Sequence, residues 1–165
     1  MKITLDWLKE KGACAEGVAW FKAQKKSEAV DVLNALIKDD QLEWANWTIV
    51  RVMTRPQYLA YAIYAAEQVI HIWKEKYPDD DRPQKAIQAA KDVLKDDTPE
   101  SRFEAAGAAW AAGAAGAAGA AEAAWAAGAA WAAGADGAAW AAGADGAAMK
   151  TKILKYGIGL LEEGL

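Results

Sequence analysis

The chain has 165 residues, 19 Lys and Arg against 23 Asp and Glu, a net charge of −4 and a single cysteine. That length suits one domain with a buried core, and the acidic balance argues against a nucleic-acid partner, whose phosphates need clustered Lys and Arg. One cysteine, Cys14, excludes an internal disulfide and points to a reducing compartment.

The N-terminal residues carry no apolar leader, because Asp6, Lys9, Glu10 and Lys11 interrupt any such run, so the expected location is cytoplasmic. Thr4 is placed to cap a first helix over LDWLKEK, which Gly12 ends. EGVAWFKAQKK forms a second helix. Ser27 is expected to cap a third, EAVDVLNALIKDD, with Val30, Leu33, Leu36 and Ile37 on one face. In the fourth, LEWANWTIVRVM, Leu42, Ala45, Ile49 and Val52 recur at helical spacing, with Trp44 and Trp47 beside that stripe.

The strongest pattern runs from Pro56, suited to a first turn, to Tyr77. Leu59, Ile63, Ala66, Ile70, Trp73 and Tyr77 make one stripe, and Tyr58, Ala62, Ala65, Val69 and Ile72 an adjacent one. Two apolar stripes predict a central helix covered on two sides. Pro78 and the Asp79–Asp81 run end it. RPQKAIQAAKDVLKDD follows, with Ile87, Ala90 and Leu94 expected to face inward, and then TPES supplies a Thr cap, a Pro and a first-turn acid. No segment alternates with period two, so no sheet is expected.

Near Glu104 the composition changes. Residues 104–165 hold only 3 Lys and 6 Asp or Glu, and from Glu104 to Met149 every third residue varies while the others are almost all Ala. AAWAAGADG occurs twice in succession from Ala129. Collagen would need Gly at every third place and abundant Pro. Ala is the best helix former, so α-helix is expected. On one continuous helix the tryptophans would point to several sides, so the tract is either buried nearly all round or broken, most naturally at Asp136-Gly137 and Asp145-Gly146. Acids recur after the longest uncharged run, Ala105–Ala121, which disfavours a membrane span. The expected fold is therefore all-α: a single-domain multi-helix bundle over 1–165, comprising charged amphipathic helices (1–103), an Ala/Gly/Trp helical layer (104–149) and a C-terminal helix (150–165).

Catalytic signals are weak. His71 lies one turn after Glu67, but it is the only histidine, and metal sites need three or four ligands. The pair is expected to be an ordinary helical one. Asp79, Asp80 and Asp81 lack the spaced oxygens and Gly turn of a calcium loop. Cys14 has no base near it in sequence and is expected to be a buried thiol. No catalytic residue, metal or cofactor is assigned. Nine tryptophans are an excess. Some must be core, but tryptophan also anchors protein interfaces.

One stretch carries a resemblance. YAAEQVIHIWKEKYPDDDRPQKAIQAAKDVL, Tyr64 to Leu94, resembles the immunity proteins found near bacterial polymorphic toxins: an Ala-Glu pair (Ala66, Glu67), an acidic turn, Arg82-Pro83 and an AIxAA helix (Ala86–Ala90), followed by an Ala-rich triplet tract. GACAEGVAWF, Gly12 to Phe21, is similar to the opening of uncharacterised phage-encoded proteins. The tract departs from the family pattern in placing Gly where Arg, Glu or His is usual. The resemblance implies a non-enzymatic inhibitor that binds and blocks a toxin or a bacterial defence complex, as immunity and phage anti-defence (anti-CRISPR type) proteins do. Its mechanism would be occlusion of a basic protein partner. Asp79, Asp80, Asp81, Asp39, Asp40, Asp96 and Asp97 would steer that partner, and Trp44 and Trp47 would anchor it. The alternatives are a small-ligand sponge for a nucleotide-like signal and a scaffold that oligomerises through its Ala/Gly face. An artificial sequence also fits the exact duplication.

Overall fold

The computed structural model describes residues 1–114 and 146–164. The tract from Ala115 to Asp145, with Trp125, Trp131, Trp140 and the Asp136-Gly137 pair, lies outside the described residues. Within them the protein is all-α, with eight helices: α1 (Leu5–Glu10), α2 (Ala15–Ala23), α3 (Ala29–Lys38), α4 (Leu42–Val52), α5 (Arg55–Lys76), α6 (Arg82–Lys95), α7 (Pro99–Ala114) and α8 (Gly146–Glu163).

Local chemistry sets most of the boundaries. Thr4 caps α1, accepting the Trp7 amide at 3.1 Å. Ser27 does not cap α3 as expected. The next residue, Glu28, occupies the cap position without a side-chain bond, and the Ser27 carbonyl instead accepts the Ile3 amide at 2.7 Å. That bond and Ala29 N–H to the Met1 carbonyl form an isolated antiparallel bridge, Lys2 to Glu28, which ties the N-terminus to the start of α3. Backbone pairing has taken the place of the cap. Thr54 and Gln57 cap the start of α5 reciprocally. Thr98 and Ser101 do the same for α7 at 3.1 Å each way, fulfilling the TPES signal. Helix α7 runs into the triplet tract as far as Ala114, and α8 begins at Gly146, the second residue of an Asp-Gly pair.

The apolar faces of α5 meet different partners, but the second expected stripe divides: Tyr58 and Ala62 pack with Val50 and Met53, apart from Ala65 and Val69. Leu59, Ile63 and Ala66 pack with Ile87, Ala90 and Val93 of α6 and Ala105 of α7. Tyr61, Ala65 and Val69 pack on the other side into a larger core with Leu33 and Leu36 of α3, Ala45 and Ile49 of α4, and Ile153, Leu154, Ile158 and Leu160 of α8. The second covering layer of the central helix is therefore α8 with α3 and α4. Toward its C-terminal end α5 emerges: Ile72 is exposed, and so is Tyr77, which lies just past the helix. On α6 the expected inward Leu94 is exposed and its neighbour Val93 is fully buried, because the buried face passes through Ala86, Ile87, Ala90 and Val93.

Helix α8 seats against α5 and α4 through Gly157. A β-carbon there would lie 2.7 Å from Ile49 Cδ1 and 2.7 and 2.8 Å from Tyr61 Cδ2 and Cε2. The buried Gln57 side chain donates to the Leu160 carbonyl at 2.9 Å, meeting one of the carbonyls that the end of a helix leaves unpaired. Lys150 at the start of α8 pairs with Glu43 of α4 at 2.7 Å. Residues more than a hundred positions apart thus close one core.

Candidate aromatic cleft

Helix α4 carries two faces. Leu42, Ala45 and Ile49 point into the core. Trp44, Trp47, Thr48 and Arg51, spaced i, i+3, i+4, i+7, form a second stripe. Opposite it, Cys14, Gly17, Trp20 and Phe21 of α2 face the same space. Between them lies a cleft of about 570 Å³, whose floor includes Val32 and Leu36 of α3. It is the size of a small-molecule or anchor-residue pocket, about 300–1,000 Å³.

Its aromatic walls are held in place. The Trp20 indole N–H donates to the Asp39 carboxylate at 2.9 Å. Trp47 meets the edge of Trp7, ring centroids 6.0 Å apart at 79°. The Arg51 guanidinium lies 4.1 Å above the Trp47 ring and donates to the Trp47 carbonyl at 2.9 Å. Gly17 keeps the α2 wall low: a β-carbon there would come 3.4 Å from Cys14 Sγ and 4.0 Å from Trp44 Cδ2.

The polar groups of the cleft are few. Asn46, at 2% exposure, accepts the Tyr61 hydroxyl at 2.9 Å. Thr48, at 4% exposure, lines the cleft, and its hydroxyl has no hydrogen-bond partner among the described residues. The hydrogen bond and charge of Lys150 hold the Glu43 carboxyl below its ordinary value. Arg51 forms no ion pair among the described residues, and partial burial lowers its guanidinium from the usual value. The Cys14 thiol is exposed, not buried as expected. It stands at the N-cap of α2, a helix with no buried residue, and accepts the Gly17 amide at 3.3 Å.

Trp44 and Trp47, picked as anchors from the sequence, both line this cleft half-buried. The acids fall in three separate turns. Asp39 and Asp40 end α3. Asp39 holds Trp20, and Asp40 adopts a left-handed φ of 56°, a conformation Asp tolerates at a helix stop. Asp79, Asp80 and Asp81 line a shallow recess between α5 and α6. Arg82 donates twice to the Asp80 carboxylate at 2.8 Å and holds it below its ordinary value, while Asp81 pairs with Lys85 at 2.9 Å. The Asp96 carbonyl accepts the Ser101 hydroxyl at 2.7 Å. Asp97 bridges Arg102 at 2.6 Å and Arg55 at 3.0 Å, which together hold its carboxyl far below the ordinary range. Local cations therefore meet much of the acidic charge.

His71 is exposed, and Glu67 pairs across to Lys91 of α6 at 2.7 Å. Among the described residues no cluster of His, Cys, Asp or Glu could hold a metal ion, and no helix is long and apolar enough to cross a membrane. Sequence reasoning missed Cys14, Gly17, Trp20, Thr48 and Arg51 as cleft residues. The α4 spacing was the available signal, but nothing local says that α2 lies across it. No family model, no curated protein and no solved structure matches this chain.

Proposed function

We propose that the protein is a non-enzymatic inhibitor, of the immunity or anti-defence kind, that occludes a basic protein partner by taking an apolar side chain of that partner into the α2–α4 cleft. The observation that carries this is the cleft itself: three half-buried tryptophans around an apolar space, with Trp20 held by Asp39 and Trp47 by Trp7 and Arg51. Fixed aromatic walls lose little freedom on binding, and such pockets concentrate interface energy. The net charge of −4 favours a basic partner. Asp39 bonds Trp20, so one of the candidate steering acids adjoins the anchor pocket. The small-ligand reading also draws support from the cleft volume.

The test is retention from a bacterial lysate on the immobilised chain, with the retained proteins and small molecules identified. The proposal expects a basic protein that wild type holds and that Trp44→Ala and Gly17→Phe lose. Gly17→Phe fills the cleft from a helical position whose β-carbon has room. A retained nucleotide would favour the sponge, and retention of the chain's own copies alone would favour a scaffold.

A further inference from the structure

We infer that the α2–α4 cleft is also a site for a small molecule with a planar apolar body and one carboxylate, the body against the tryptophans and the carboxylate on Arg51. The inference rests on the cleft being the binding site, but not on the partner being a protein.

Two independent features point to such a ligand. The first is Arg51. Its guanidinium is held over Trp47 at the cleft, and no acid among the described residues meets it. The cleft's own acid, Glu43, is engaged by Lys150. A single cation that no acid among the described residues neutralises matches a monoanion better than a phosphate ester carrying nearly two charges, and the guanidinium fork suits a carboxylate. The second is Thr48. A hydroxyl this deeply buried without a partner costs stability. Thr48 lies on the same face of α4 as Arg51, one turn before it, and both line the cleft.

The apolar lining sets the body. Trp20, Trp44 and Phe21 offer flat surfaces around the cleft of about 570 Å³.

The test uses three probes on the full chain: 2-naphthoate, the neutral 2-naphthamide, and 2-naphthyl phosphate, each titrated with ligand-observed NMR. Naphthoate should bind saturably and about tenfold tighter than naphthamide, the size that a charge-assisted hydrogen bond supplies. It should also bind tighter than the phosphate. Arg51→Gln should bring naphthoate and naphthamide to parity, and Gly17→Phe should abolish binding of both. Thr48→Val preserves shape and removes the hydroxyl; it should weaken naphthoate several-fold while leaving the protein folded and no less heat-stable. Equal binding of naphthoate and naphthamide to wild type would overturn the inference. So would naphthoate binding that survives Gly17→Phe, or that Arg51→Gln and Thr48→Val both leave unchanged. Since these titrations need no protein partner, their failure would leave the inhibitor proposal to its own retention test.

Discussion

Two glycines two residues apart on α8 should respond to the same substitution in opposite senses. At Gly157 the new methyl of Ala would sit 2.7 Å from Ile49 Cδ1 and 2.7 and 2.8 Å from the Tyr61 ring. Comfortable carbon contacts are roughly 3.5–4.0 Å. Ile49 Cδ1 is the end of a flexible side chain, but Tyr61 is 1% exposed and its hydroxyl is tied to Asn46, so the ring cannot swing away cheaply. Overpacking of this kind costs about 1–3 kcal/mol. The better helix propensity of Ala returns up to about 1 kcal/mol. Gly157→Ala should therefore lose about 1–2 kcal/mol net, which for a chain of this size lowers Tm by roughly 2–8 °C. At Gly159 a β-carbon meets nothing within 4 Å. Only the propensity gain remains, so Gly159→Ala should raise Tm by roughly 1–4 °C. Thermal and urea unfolding followed by far-ultraviolet circular dichroism would read both. A Gly157→Ala variant as stable as wild type would refute the close seating of α8 on Tyr61.

Three further outcomes follow from the packing. Thr48→Val should stabilise the free protein by up to about 1–3 kcal/mol in urea unfolding, because it replaces a buried unpartnered hydroxyl with a methyl; destabilisation would show that the hydroxyl is satisfied. The fragment 1–103 should fail to unfold cooperatively in calorimetry, because it lacks Ile153, Leu154, Ile158 and Leu160 of the larger core; a sharp two-state transition would contradict this. Asp97→Asn should make stability less dependent on acid. The folded carboxyl titrates below its ordinary value because of Arg102 and Arg55, so its contribution is present above about pH 4, the unfolded value, and is lost as pH falls through the folded value. The measurement is urea midpoints of wild type and variant from pH 5 downward; parallel curves would remove Asp97 from the account.

The helices were legible because their signals are local. Thr4, the TPES cap and the N-terminal part of the first α5 stripe (Leu59, Ile63 and Ala66) each act within a few residues, and each reappears in the structure. The failures are those where a distant segment wins. Ser27 lost its cap role to pairing with the N-terminus, and Val93 displaced Leu94 once α6 turned its face to α5 and α7. The role of α8 as a core helix was hidden because its partners on α3, α4 and α5 lie about a hundred residues earlier. The cleft was half visible. Trp44 and Trp47 stood out by type, while Thr48 and Arg51 carry no local signal that α2 lies across them.

The cleft as the binding surface is the central claim, and Cys14 gives direct access to it. It is the chain's one cysteine, exposed, and at the cleft edge. A photo-crosslinker attached there through maleimide reports what lies against α2, and the same reagent on a Cys14→Ser, Gln88→Cys chain reports the exposed face of α6. Irradiated with the retained partner, the Cys14-labelled protein should crosslink to it efficiently and the α6-labelled protein should not. Crosslinking from α6 alone, or equally from both positions, would place the binding surface elsewhere and contradict the account.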